Sequence, residues 1–201
     1  MFSGLVQALG RISRVDNREG GVRLAIHAVR LGMEDVALGD SIAVNGVCLT
    51  VIAKSPSGFE TDVSAETLRC TAGLEAPGEV NLEKSLRLAD RIGGHLVSGH
   101  VDGVGEVLAF EPVGESTLLR VRAPQDLARY IARKGSITVQ GVSLTVNAVD
   151  GAAFEVNLIP HTVAVTTLKH LKPGSRVNLE VDLIARYVER MLGADRESRA
   201  G

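Results

Sequence analysis

Tryptophan is missing from the 201 residues, and only four Phe and two Tyr supply aromatic bulk. Any core must be aliphatic, and a chain packed mainly by Val, Leu and Ile leans toward β structure. Two cysteines, Cys48 and Cys70, are too few for a disulfide scaffold, and without a secretion signal they fit a reducing compartment. No apolar run approaches the roughly 18 residues of a membrane helix. The opening MFSGLVQALGRIS has neither a basic stretch before an apolar core nor a small-residue cleavage site, so it does not read as a signal peptide; the expected location is the cytoplasm. A net charge of −2 without clustered Lys and Arg excludes the footprint of a nucleic-acid-binding domain. Phosphate loops, GxSxG elbows and HExxH helices are absent too. GVGEVL, from Gly103 to Leu108, starts like a dinucleotide fingerprint but has Leu108 where the third glycine belongs. His95 and His100 stand alone, which favours structural or solvent-facing imidazoles over a metal site, and no metal is expected.

What the chain does have is an internal repeat. SIAVNGVCLTV starts at Ser41 and SITVQGVSLTV at Ser136, with eight of eleven positions identical at a step of 95 residues. Phe59-Glu60 recurs as Phe154-Glu155 at the same step, and VNLE recurs from Val80 to Val177 at a step of 97. Solenoid repeats are shorter, with periods of roughly 20–50 residues; each copy here is the size of a small domain. The glycine-rich stretch GGHLVSGH, residues 93–100, is the natural link. The expected division is residues 1–97, residues 98–182, and a C-terminal helix and tail over 183–201.

Within each copy the hydrophobic period is mostly two. Ile42, Val44 and Val47, and Ile137, Val139, Val142, Leu144 and Val146, mark short strands broken at Asn45-Gly46, Ser57-Gly58, Pro77-Gly78, Asp150-Gly151 and Pro173-Gly174. Many short strands with regular turns predict an all-β chain of two small closed barrels, since closure removes exposed edges. Two helices are expected. One covers Leu82 to Asp90. The other runs from Asp182, which can cap it, to Leu192, with Ile184, Val188, Met191 and Leu192 in one stripe; Gly193 should end it, leaving a loose polar tail. Its apolar face fits packing within the chain or against copies of itself.

The two copies differ where chemistry could reside. Cys48 answers to Ser143, Glu66 to His161, Asn45 to Gln140 and Asp62 to Asn157. Such changes arise by drift in a duplicated scaffold, and a free Cys is often only a small apolar residue. They are also what an enzyme needs if two similar pockets must treat their ligands differently.

MFSGLV at the start, NGVCLTV, DVSAETL, VNLE, DRIGGHLVSGHVDG, YIARKGSI, GVSLTVN, LIPHT and VNLEVD occur in that order, and over roughly residues 1–192 the chain resembles riboflavin synthase of the trimeric, two-barrel kind. The resemblance implies two tandem six-stranded Greek-key barrels, each binding one lumazine, and a C-terminal helix that joins a homotrimer. It implies dismutation of two 6,7-dimethyl-8-ribityllumazine molecules to riboflavin and 5-amino-6-ribitylamino-pyrimidinedione by transfer of a four-carbon unit, with no cofactor. Lumazine synthase is a conceivable partner; no nucleic acid or membrane is implied. Matched motif by motif, a first pocket takes Gly4, Leu5 and Val6, then Cys48, Leu49 and Thr50, then Asp62, Val63, Ser64, Ala65, Glu66 and Thr67, with Phe2 and Ser41 nearby. A second takes Gly99, His100 and Val101, then Lys134, then Ser143, Leu144 and Thr145, then Asn157, Leu158, Ile159, Pro160, His161 and Thr162. Cys48, His100, Ser41 and Ser143 are the catalytic candidates: Cys48 as a nucleophile at C7 of the acceptor, against water or a ribityl hydroxyl, and His100 as base or relay for the 7-methyl proton, because an imidazole titrates near neutrality. Which barrel holds the donor stays open. Segment 66–80 departs from the family by being short and by carrying Cys70.

A lumazine- or flavin-binding antenna protein on the same double barrel is the main rival. Retention of Lys134, Ser143, Thr145 and the IPHT segment in the second copy favours the enzyme. A flavin reductase should carry an RxYS motif and a nicotinamide domain, and Arg186-Tyr187 is followed by Val188. A purely structural barrel would bind neither lumazine nor flavin.

Overall fold

The computed structural model describes the backbone of residues 1–200 and the side chains of residues 1–192. In the first half, β1 (Ala8–Arg18), β2 (Gly21–His27), β3 (Ser41–Val44), β4 (Val47–Thr50), β5 (Ala53–Ser55), β6 (Gly58–Ser64) and β7 (Gly78–Lys84) form one antiparallel sheet, with α1 (Ala65–Cys70) between β6 and β7. In the second, β8 (Gly103–Val113), β9 (Ser116–Arg122), β10 (Ser136–Val139), β11 (Val142–Asp150), β12 (Ala153–Leu158) and β13 (Arg176–Val181) close into a six-stranded barrel, with α2 (Pro160–Val165) after β12. Its order, β10-β11-β12-β9-β8-β13, is a Greek-key path. The first sheet runs β4-β3-β7-β1-β2-β6-β5. Its two end segments, β4 and β5, are successive pieces of one stretch, broken at Val51-Ile52. The matching place in β11 is a bulge between Val146 and Ala148, so both rings bend at the same point and the first closes through its own chain.

Alternation sorts the side chains. Leu24, Ile42, Leu82 and their neighbours fill the first barrel, and Leu119, Ile137, Leu158 and theirs the second, each as a separate core. The predicted helix at Leu82–Asp90 is not formed. Leu82 to Lys84 belong to β7, which pairs with both β1 and β3, and the burial of Val80, Asn81, Leu82 and Glu83 outweighs helix propensity. Helix α3 (Leu183–Ala200) starts as expected, with Asp182 Oδ1 accepting from the Ile184 amide at 3.0 Å. It does not stop at Gly193, because one internal glycine costs only about 1 kcal/mol against Ala and good helix formers follow; Gly201 lies outside the described residues. On α3, Arg186 pairs with Asp102, and Glu189 with Arg129 and Tyr130, while Ile184, Tyr187, Val188 and Met191 stay exposed.

The halves meet across an approximate two-fold axis. Phe2 and Val97, equivalent in the repeat, hydrogen-bond to each other at 2.7 and 3.1 Å. The hairpin turns Asn45-Gly46 and Gln140-Gly141 have positive φ at all four residues, as two-residue hairpin turns require. They abut: a Cβ on Gly46 would lie 2.8 Å from the Gly141 nitrogen. Asn81 donates to the Gln140 carbonyl and accepts from the Thr167 amide; Asn178 donates to the Asn45 carbonyl and accepts from the Ala72 amide, all at 2.7–3.0 Å. Asn45 and Gln140, noted above for their difference, do the same job: each side-chain oxygen accepts from the next Asn's amide, on Asn81 and on Asn178.

Candidate active site

Each barrel presents a row of polar candidate residues on its outer wall, here called its groove. On β4, Leu49 points into the core, so Cys48 and Thr50 point out, with Ser41 of β3 opposite Thr50. On β6, Val63 faces in while Asp62 and Ser64 face out. Ser64 then caps α1 by accepting from the Thr67 amide, which sets Ala65, Glu66 and Thr67 at the groove's end. The second barrel repeats this. Ser143 and Thr145 on β11 and Asn157 on β12 face out, Leu144 and Leu158 face in, and Ile159, Pro160, His161 and Thr162 open α2. Leu49, Val63, Leu144 and Leu158 therefore offer a ligand only main-chain atoms. Phe2 is fully buried with Ala43, Val97 and Cys48, and supports the first groove from beneath. Lys134, exposed and at φ 67°, precedes β10 and donates its amide to the Val146 carbonyl.

The grouping expected from the sequence is exchanged between the barrels. The Ser143 amide donates to the Gly4 carbonyl at 2.8 Å, and the Cys48 amide to the Gly99 carbonyl at 2.9 Å. Val6 packs on the second core and Val101 on the first. Gly4, Leu5 and Val6 thus border the groove of Ser143, Thr145 and Asn157, and Gly99, His100 and Val101 border that of Cys48, Thr50 and Asp62. Sequence alone assigns each opening segment to the barrel that follows it; the approximate two-fold axis crosses them over. The approach is tight, since a Cβ on Gly4 would lie 2.6 Å from Ser143 Cβ, and one on Gly99 2.6 Å from Cys48 Cβ.

A further residue joins the second groove. His95, read above as structural or solvent-facing in preference to a metal ligand, lies with Nδ1 2.7 Å from Ser143 Oγ. Its Nε2 is buried without a partner among the described residues. Burial pushes the imidazole below its usual range, partly offset by the Asp182 carboxylate, so the ring is neutral at physiological pH. A neutral imidazole on a hydroxyl is a proton acceptor or relay.

Charge is divided unequally. At the first groove Asp62 pairs with Arg23 through two bonds of 2.8 and 2.9 Å, which holds its carboxyl below the ordinary range. Glu66 pairs with Arg69 and is likewise lowered. At the second, the strand partner of Asn157 is Leu118, and Ile159 replaces the capping Ser64.

A duplicated barrel thus carries two equivalent sets of candidate residues in unlike surroundings, the first with the Arg23–Asp62 and Arg69–Glu66 pairs and the second with the His95–Ser143 contact. The Lumazine binding domain family matches residues 3–85 and 98–182, once per barrel. Riboflavin synthase of Photobacterium phosphoreum is 43% identical over 198 residues, spanning 98% of this chain and 91% of that protein. Riboflavin synthase of Mycobacterium bovis is 46% identical, spanning 96% of this chain and 98% of that one. LumP complexed with 6,7-dimethyl-8-(1'-D-ribityl) lumazine superposes with a TM-score of 0.80 at 27% identity, covering 90% of this chain and 99% of that one. The chain belongs to the lumazine-binding family, and within it to the riboflavin synthases.

Proposed function

We propose that the chain is an enzyme that converts two molecules of 6,7-dimethyl-8-ribityllumazine into riboflavin and 5-amino-6-ribitylamino-pyrimidinedione. The observation that supports this is that both halves keep the same frame: an outward thiol or hydroxyl at Cys48 and Ser143, a short helix after β6 and β12, and the crossed-over segment of the other repeat at its edge. Two identical reactants call for two such places. Thr50, Ser64 and Thr67 in one groove, and Thr145, Asn157 and Thr162 in the other, supply hydroxyls and an amide suited to a ribityl chain. Holding two flat rings face to face supplies much of the rate, since orientation alone is worth up to roughly 7–11 kcal/mol.

The dismutation needs a proton taken from a 7-methyl group and a nucleophile at C7 of the partner ring. Imidazoles are available for proton transfer at both grooves: His100 after Gly99 at the first, and the His95–Ser143 pair at the second. The pair's neutral imidazole and buried Nε2 favour it as the acceptor of the methyl proton, and Cys48 is the thiol available at the opposite groove. The exposed stripe of Ile184, Tyr187, Val188 and Met191 fits a homotrimer joined by α3, with the reacting grooves facing each other between a first barrel and the second barrel of a neighbouring subunit. Incubation with the lumazine alone, followed by absorbance and flavin fluorescence, should yield one riboflavin per two lumazines consumed. Tight binding without turnover would instead make the chain an antenna protein.

A further inference from the structure

Two buried carboxylates take no part in the chemistry above, yet each sits at the root of a groove. Glu83, on β7 of the first barrel, accepts from the Ser3 amide at 2.7 Å, the Ser3 hydroxyl at 2.9 Å and the Gly4 amide at 3.0 Å. Glu180, on β13 of the second, accepts from the Ser98 amide at 2.7 Å, the Ser98 hydroxyl at 2.6 Å and the Gly99 amide at 2.9 Å. Both are nearly inaccessible. The next link in each chain of contacts crosses to the other half, because the Gly4 carbonyl holds the Ser143 amide and the Gly99 carbonyl holds the Cys48 amide.

We propose that Glu83 and Glu180 are positioning residues wired crosswise, Glu180 of the second barrel setting the groove of the first and Glu83 of the first setting the groove of the second. The inference rests on the reading of these grooves as lumazine sites. Three donors converging on one carboxylate make charge-assisted hydrogen bonds, stronger than neutral ones. They fix an opening segment whose glycine sits in the left-handed region, φ 76° at Gly4 and 79° at Gly99, where a free chain would not dwell in one conformation. Burial pushes both carboxyls above their ordinary range, offset by those same donors. A glutamine is the informative replacement. Its amide keeps the shape, loses the charge, and turns an NH2 toward a main-chain N–H that needs an acceptor.

Thiol reactivity reads the wiring without ligand. In a Cys70→Ser background Cys48 is the sole thiol, half-buried beneath Gly99. Glu180→Gln should raise its rate of alkylation by iodoacetamide about tenfold, the scale of a lost charge-assisted contact, while Glu83→Gln leaves it within about twofold. In a Cys48→Ser, Cys70→Ser, Ser143→Cys background the pattern should reverse, with Glu83→Gln accelerating and Glu180→Gln neutral. If either glutamine variant fails to fold, Ser98→Ala and Ser3→Ala, which each remove one donor, should give the same crossed pattern at smaller size. Protection of Cys48 by riboflavin should need about tenfold more flavin in Glu180→Gln and no more in Glu83→Gln. Acceleration confined to the barrel that carries the mutation, equal acceleration at both thiols, or unchanged protection in Glu180→Gln would overturn the proposal. A crossed reactivity pattern in which riboflavin protects neither thiol of the unmutated carboxylate backgrounds would leave the wiring standing and sink the lumazine reading instead.

Discussion

The two halves of this chain share strand order, hairpin turns, buried carboxylates and interface asparagines, yet their grooves have parted company. The first is rimmed by the Arg23–Asp62 and Arg69–Glu66 pairs and holds a thiol. The second has Asn157 and Ile159 where the first has Asp62 and Ser64, has Lys134 ahead of β10, and holds a hydroxyl bonded to the His95 imidazole. The common frame lies where the halves touch each other, and the differences lie where they face outward. A reaction between two copies of one molecule needs that combination: like shapes to admit like substrates, and unlike surroundings to make one a donor and the other an acceptor.

The sharpest way to break the contrast is to remove the imidazole that bonds Ser143 at the second groove. His95→Gln should lower turnover by about 100-fold or more, the range for loss of a positioned proton-transfer group, with riboflavin binding at the first groove retained. The pH profile should move with it. Because the folded state depresses the imidazole's pKa, the unfolded chain binds more protons below about 6.5, so the contribution of His95 to stability is present above that value and declines as pH falls. Turnover of the unmutated chain should persist somewhat below pH 6.5 before falling, and His95→Gln should lose that acid limb.

Where the halves are alike, the effects should be alike. Asn81→Ala and Asn178→Ala each orphan buried main-chain groups of the other half, and each should cost about 3 kcal/mol, read as matched shifts in urea midpoint. A large inequality would show that one half holds the interface alone. Arg186→Ala leaves the mostly buried Asp102 carboxylate without its cation and should cost about 1–2 kcal/mol while loosening α3. The equivalent position in the first half is Gln7, so no counterpart effect exists there. Smallest is Arg23→Ala. The pair is solvent-screened and should contribute little to stability, but its loss should shift relative affinity between the grooves by making the first resemble the second.

Much of this was legible in the residues. The 95-residue step, the two-residue period and the Gly-containing turns lead to two barrels, and outward positions such as Cys48, Ser143 and Asn157 follow from alternation with buried Leu and Val. The crossing of the opening segments was not legible, since local pattern says nothing about which barrel a seven-residue lead-in will lean on. Nor was His95, whose place beside Ser143 depends on a contact between the link and β11, 48 residues further along the chain. The false helix at Leu82–Asp90 shares that origin, because pairing of β7 on both sides is a long-range fact.

The most direct test of two unlike grooves in one chain is a fluorescence titration with riboflavin, analysed for stoichiometry per chain. The account predicts two sites of unequal affinity, the weaker or stronger of which is selectively altered by Ser143→Ala. A single site per chain, or two sites that respond equally to that substitution, would contradict it.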